Sequence, residues 1–190
     1  FCSTMLADMG AELAKIERAH VGDDTRHMGR YKDRGPEDQD YFFANNRTRR
    51  SIALDLKQKA HQEIAQALAC EADVFVENYA PGKVGVLGLG WDELHALNPK
   101  LVYCSISGFG QTGPNSGRPA LDPIVQAASG LMSVTGVPDG EPMQIGAPVA
   151  DAISGMYAAY AIVNAIRVAE RDGEGQHIDI SMQDAMIAAL

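Results

Sequence analysis

The 190-residue chain has little of several things, and each shortage argues against a class of function. It carries 16 Lys and Arg against 25 Asp and Glu, a net charge of −9. Phosphate backbones are held by lysine and arginine, so a general nucleic-acid binder is not expected. Its three cysteines, Cys2, Cys70 and Cys104, form no C-x-x-C pair, which suggests neither a disulfide framework nor a zinc ribbon. Reduced thiols in the cytoplasm are the simplest reading. The five histidines, His20, His27, His61, His95 and His177, are never four residues apart, so no helical metal site is expected. No G-x-S-x-G nucleophile elbow occurs, and no secretory leader is legible. The longest uncharged stretch toward the C-terminal end, Ala152–Ile166, falls short of the roughly 18 apolar residues a membrane span needs.

What is present predicts a packed α/β domain. Apolar residues make up 46% of the chain, enough for a packed interior. Phe1–Met9 reads as a helix stopped by Gly10. Glu12–Glu17 reads as a strand, and the polar stretch Val21–Asp40 as a loop. Ser51–Leu56 alternates as a strand should, and His61–Cys70 places Ile64, Ala65, Leu68 and Ala69 on one helical face. Ala72–Glu77 and Leu101–Ser107 are apolar strands that flank a short helix, Trp91–Asn98, stopped by Pro99. Strands alternating with helices imply a parallel sheet with helical crossovers. From Gly108 to Gly146 glycine and proline dominate, the mark of a long functional loop. Ala150–Val168 is apolar nearly all round and should be buried on most sides. Asp172–Gly175 is a turn, and Gln176–Met182 a last strand. Phe1 and Leu190 both lie inside helical runs, so the chain reads as a piece of a longer protein.

Four features invite a chemical reading. Gly108-Phe109-Gly110-Gln111-Thr112-Gly113 spells a dinucleotide fingerprint, but Pro114, Asn115, Ser116, Gly117 and Pro119 follow where a helix should open. A Gly-rich turn is the better reading. Gly82, Gly85, Gly88 and Gly90 form a second cluster without the G-K-[ST] ending of a phosphate loop. Arg47, Arg49, Arg50, Lys57 and Lys59 cluster in an acidic chain; this is either a solvated face or a docking place for a phosphorylated ligand. Asp151 begins the long apolar helix among Ala147, Ala150, Ala152, Ser154 and Gly155. It is a capping aspartate, or a carboxylate at the edge of a dry region with room beside it, which is where a nucleophile can work.

Several segments, in order, resemble one family. Asn46-Arg47-Thr48-Arg49-Arg50-Ser51-Ile52-Ala53-Leu54-Asp55-Leu56-Lys57 is similar to the N-x-x-K/R-R-S-x-x-L-D-L-K segment of class III coenzyme A transferases, and Asp73-Val74-Phe75-Val76-Glu77-Asn78-Tyr79-Ala80-Pro81-Gly82 to their A-D-V-x-V-E-N-F-x-P-G segment. Ser107–Pro114, Gln126-Ala127-x-Ser129-Gly130, Asp151-x-x-x-Gly155-Met156-Tyr157 and Gly173-Glu174-Gly175-Gln176 follow. The resemblance covers nearly all of the chain.

It implies a Rossmann-like large domain, with residues 1–190 a partial copy that lacks a first strand and the C-terminal small domain and return segment. It further implies an interlocked homodimer, coenzyme A as the acyl-carrying substrate, no metal, and transfer of CoA between a thioester and a free acid through a covalent intermediate on Asp151. Formyl-CoA:oxalate and carnitine transferases are the kind of member implied. The implied CoA contacts are Arg18, then Leu54, Asp55, Leu56 and Lys57, then Asn78, Tyr79 and Ala80. A further contact arginine of the family falls on Val86, with Lys83 a turn earlier as a stand-in. The rival on the same fold is a 2-methylacyl-CoA racemase, whose G-H-D-x-N-Y histidine falls on Leu121. A leucine moves no proton. A non-catalytic interaction fragment is the third reading.

Overall fold

The computed structural model describes residues 1–28 and 40–190. Part of the loop expected over Val21–Asp40 therefore lies outside the described residues; within it, Asp24–His27 forms a 3-10 turn capped by Asp23. The elements run α1 (Cys2–Asp8), β1 (Ala14–Arg18), α2 (Asp40–Asn46), β2 (Arg50–Leu54), α3 (Lys59–Cys70), β3 (Val74–Glu77), α4 (Lys83–Val86), α5 (Trp91–Leu97), β4 (Val102–Ser107), α6 (Asp122–Ala128), α7 (Val149–Asp172), β5 (His177–Ser181) and α8 (Met182–Ala189).

The α/β class holds, and every strand pair is parallel. Among the described residues the expected single sheet is two: β1 beside β2, and the order β3-β4-β5. They are joined by packing. Ile16 and Ile52 of one sheet and Phe75 and Tyr103 of the other touch the same cluster, whose buried members include Leu54, Ala65, Leu89, Leu94 and Leu101. The opposite face of the three-stranded sheet is covered by α1 and α7. There Cys2, Val102, Cys104, Ala158, Ile162 and Ala165 form a second core. Cys2 and Cys104 are buried in it, and Cys70 is half-buried. A third cluster ties α6 to α7 and α8 through Val125, Leu131, Ala150, Met182 and Met186.

Two helices differ from their sequence reading. In α3 the buried residues are Ala65 and Ala69, while Ile64 and Leu68 stay 42% and 40% exposed. In α7 the buried line is Ala150, Ser154, Gly155, Ala158, Ile162, Ala165 and Ala169, so one stripe is covered rather than most of the helix. Met156, Tyr157, Tyr160 and Val163 lie outside it, with Tyr160 73% exposed. Small residues let a helix approach a sheet closely, and the bulky ones turn outward. At 24 residues, α7 is longer than the run read from the sequence, and by length and composition alone it could cross a membrane. Its packing on β4, β5 and α1 is that of a core helix.

Close backbone passages explain the glycines that matter most. A Cβ on Gly108 would fall 2.1 Å from the Ala120 Cβ, and one on Gly175 would fall 1.9 Å from the Leu101 carbonyl oxygen. The fingerprint spelling is thus a turn. Gly110 and Gly113 have positive φ, and the next helix opens only at Asp122.

Candidate functional site

Parallel strands end together, and the polar residues just past those ends share one rim of the molecule. This is where open α/β sheets place ligands. Arg18 ends β1 directly opposite Leu54 at the end of β2. Asn78 follows β3, Gly108 follows β4, and Asp151 stands in the first turn of α7.

A cavity of about 360 Å³ opens at that rim, and Asp151 lines it with Lys15, Tyr41, Arg49, Asn78 and Ser154. The Asp151 carboxylate is half-buried, and burial raises its pKa above the ordinary carboxylate range. The nearby Asp122 adds to the rise. Among the described residues Asp151 forms no ion pair. The two cations nearest the cavity are engaged elsewhere. Lys15 binds Asp23 and the Asn46 side-chain oxygen. Arg49 donates to Thr4 Oγ1 and the Asn45 carbonyl, both at 2.6 Å, and its Nε is buried without a partner. The result is an exposed-edge carboxylate with no cation bonded to it, in a cleft with unspent donor capacity. A carboxylate in that setting is available to attack an electrophilic carbon.

The other implied contact residues divide. Asn78 shares the cavity with Asp151, and its Nδ2 donates to the Ile106 carbonyl at 2.6 Å. Leu54 is 5% exposed in the first core, so only its backbone can meet a ligand. Asp55 turns inward on its own loop: its carboxylate accepts from the Lys57 backbone N–H at 3.1 Å and from Gln58 Nε2 at 3.0 Å, and those bonds lower its pKa, the Gln58 bond most. Leu56 packs against the first core. Lys57 and Tyr79 are exposed, and Arg18 pairs with Asp24 at the surface. Val86 is 82% exposed on α4, and Leu121 is 72% exposed immediately before α6. Ala80 faces a different cavity, of about 240 Å³, with Glu77, Trp91, Tyr103, Ser105 and His177. The basic cluster is dispersed: Arg47 pairs with Asp8, Arg50 with Glu12, and Arg49 turns into the cleft.

Sequence reasoning missed Lys15 and Tyr41 as cleft residues, and it missed the place of Asp122. Arg49 was visible as part of the basic cluster. Asp122 carried a weaker signal, an acid just before Pro123 at a helix start, a common helix-opening pattern. Among the described residues no three His, Cys, Asp or Glu side chains stand together as a metal site.

The profile of CoA-transferase family III matches residues 1–190. The chain is 45% identical over 190 residues to the succinate–glutarate CoA-transferase of Agrobacterium fabrum, covering 98% of this chain and 48% of that protein. It is 44% identical to the acetyl-CoA:oxalate CoA-transferase of Acetobacter aceti, covering 100% and 48%. It is 38% identical to a formyl-CoA:oxalate CoA-transferase of Escherichia coli O6:H1, covering 98% and 44%. The crystal structure of a CAIB/BAIF family protein from Brucella suis superposes with a TM-score of 0.92 at 42% identity, over 98% of this chain and 50% of that one. The chain thus spans about half the length of the relatives it matches.

Proposed function

Because this chain belongs to CoA-transferase family III, we propose that the whole protein moves coenzyme A from an acyl-CoA thioester to a free carboxylic acid through covalent intermediates on Asp151, which takes the acyl group first and then holds CoA as a thioester. The observation that carries this reading is the half-buried, unpaired Asp151 carboxylate at the mouth of the rim cavity, beside Asn78.

In this reading an Asp151 oxygen attacks the thioester carbonyl carbon. A C–O bond forms, the C–S bond breaks, and sulfur leaves with the electron pair as CoA thiolate. The product is a mixed anhydride. The thiolate then attacks the Asp151 acyl carbon, releasing the first acid as its carboxylate and leaving an aspartyl thioester. The incoming carboxylate attacks that thioester and expels the thiolate again. The thiolate takes the new acyl carbon, and Asp151 leaves as a free carboxylate. No step needs a proton, so no general base is required. Dividing one hard exchange into several acyl transfers is the gain of covalent catalysis.

The strand-end residues Arg18 and Lys57 are assigned to the CoA phosphates, and Asn78 and Tyr79 to the adenine side of the cofactor. Leu54, Asp55, Leu56 and Ala80 are assigned backbone contacts. Succinate, glutarate and oxalate in the names of the relatives make small dicarboxylic acids the first acceptors to try. The outward stripe Met156–Val163 on α7 supports a homodimer as the working assembly, and cytoplasmic residence belongs to the same proposal. The racemase reading is disfavoured because Leu121 offers no proton-transfer group.

The test uses the full-length enzyme with a panel of acyl-CoA donors and dicarboxylate acceptors, read by mass spectrometry, with hydroxylamine added during turnover. Hydroxylamine is expected to modify Asp151, and Asp151→Ala is expected to abolish transfer. Transfer at the unaltered rate by the Ala variant, or rapid α-hydrogen exchange of a 2-methylacyl-CoA without an acceptor acid, overturns the proposal.

A further inference from the structure

The start of α7 lacks its own cap. Pro148 occupies the N-cap position and offers no side-chain acceptor. The first bond along the helix is Ala152 N–H to the Pro148 carbonyl, so the N–H groups of Ala150 and Asp151 have no partner within α7. Both are taken by one oxygen of Asp122, reaching across from α6: Oδ2 accepts from Ala150 at 2.8 Å and from Asp151 at 3.1 Å. The other oxygen, Oδ1, accepts from Gln126 Nε2. Gln126 is fully buried, and its own oxygen accepts from the Ile145 N–H at 3.0 Å. Asp122 itself is 8% exposed. A carboxylate with its bonds to donors on three sides does not swing, and a buried polar network of this kind is rigid when every member is satisfied.

We propose that Asp122 is the positioning residue of this site: its buried carboxylate replaces the missing cap of α7, fixes the backbone of Asp151, and holds a negative charge behind the reacting group. This rests on the reading of Asp151 as the acyl carrier and extends it. The first effect is geometric. An aspartate that must meet a thioester carbon gains from a backbone that cannot fray. The second is electrostatic. A like charge nearby disfavours ionisation and keeps the carboxylate more basic, which agrees with the direction of the Asp151 shift. The other charged or titratable groups facing Asp151 are Lys15 on β1, Asp23, Tyr41 on α2, Arg49 before β2, and Cys2 at α1. Among the described residues, Asp122 is the one of these charged groups whose side chain hydrogen-bonds the Asp151 main chain, and none of the others does.

The experiment follows acylation of Asp151 by acyl-CoA alone, in the full-length enzyme, by rapid quench and mass spectrometry between pH 3.5 and 7. Omitting the acceptor removes its own ionisation from the profile. In Asp122→Asn the acid limb is expected to move down by roughly half a unit to one unit, because a like charge has gone. In Asp122→Ala the two N–H groups lose their acceptor, and the acylation rate is expected to fall by about ten- to a hundredfold while the acyl-CoA concentration giving half-maximal rate changes by less than about twofold. Acid unfolding would by itself set an apparent limb, so the limb is read only over the pH range in which circular dichroism shows each variant folded. An acid limb unmoved in Asp122→Asn overturns the role of Asp122 and leaves Asp151 as carrier. An unaltered enzyme that never acylates Asp151 overturns the carrier reading, and this inference with it.

Discussion

Arg26 grips the carboxylate of Glu17 through both Nε and Nη2, at 2.8 and 2.9 Å. Its guanidinium carbon lies 3.9 Å from the Phe42 ring centroid. The Ser51 hydroxyl and the Asp23 N–H complete the set at 2.7 and 2.9 Å. Glu17 comes from the end of β1, Ser51 from β2, and Arg26 from the turn between them, so one carboxylate ties three segments beside the cavity that Asp151 lines.

Those bonds, Arg26 foremost, hold the Glu17 carboxyl down to about 2. A depressed carboxylate contributes stability above its unfolded pKa, near about 4.3, and loses it as pH falls toward the folded value. Glu17→Gln is expected to destabilise the protein at pH 7 by about 1.5–3 kcal/mol, the range for hydrogen bonds to a charged group. The gap between the two thermal melting curves is expected to close progressively from about pH 5 downward. A gap of constant size across that window refutes the charge-based account.

Asp151 behaves in the opposite sense. Its raised pKa, caused first by burial and then by Asp122, means the folded protein holds the charged form at a cost at neutral pH. That cost grows as pH rises through the folded value. Asp151→Asn is therefore expected to melt higher than the unaltered protein at pH 7 while losing nearly all transfer activity, a trade of stability for function. Calorimetry of the two proteins at pH 7 and pH 4 checks it. The advantage of the Asn form should shrink at the lower pH.

Lys57 stands exposed after β2, where a phosphate could meet it without displacing a partner. Replacing it by Ala is expected to raise KM for acyl-CoA by about ten- to a hundredfold, corresponding to a charged contact of about 1.5–3 kcal/mol, with KM for the acceptor acid nearly unchanged. An unchanged acyl-CoA KM removes Lys57 from the site.

The turn into β5 allows no side chain at Gly175. Its N–H donates to the Pro99 carbonyl at 2.7 Å, and an added Cβ would collide with backbone of Lys100 and Leu101. Gly175→Ala is expected to cost more than about 2 kcal/mol, because backbone cannot move aside as a flexible side chain can. Urea denaturation measures it, and a loss below about 0.5 kcal/mol would show that the turn relaxes.

Much of this architecture is legible in the chain because its periodicities are clean. Ile52 and Leu54 alternate as β2 does, and the apolar runs around Val74 and Val102 became β3 and β4. The stretch Gly108–Gly146 hid α6. Its buried side chains include Asp122 and Gln126, polar groups that hydrophobic periodicity counts as surface. The outward stripe of α7 was hidden for a related reason: apart from Ile162, alanine, serine and glycine do the packing while methionine, tyrosine and valine face out, the reverse of what side-chain size suggests. Asp151 was legible as a candidate through its neighbours and its motif. The oxygen that caps its helix comes from a residue 29 positions earlier, and no local pattern links the two.

The burial of the thiols makes this chain a quiet background for a colorimetric assay. Cys2 is 3% exposed and its thiol is pushed up to about 11 by burial; Cys104 is wholly enclosed and shifted further in the same direction. Disulfide-exchange dyes react with thiolates that they can reach, so these two sulfurs stay silent while the chain is folded. Only the half-buried Cys70 is left for dye, so a thiol count on this chain is expected to read one when it is folded and three after denaturation.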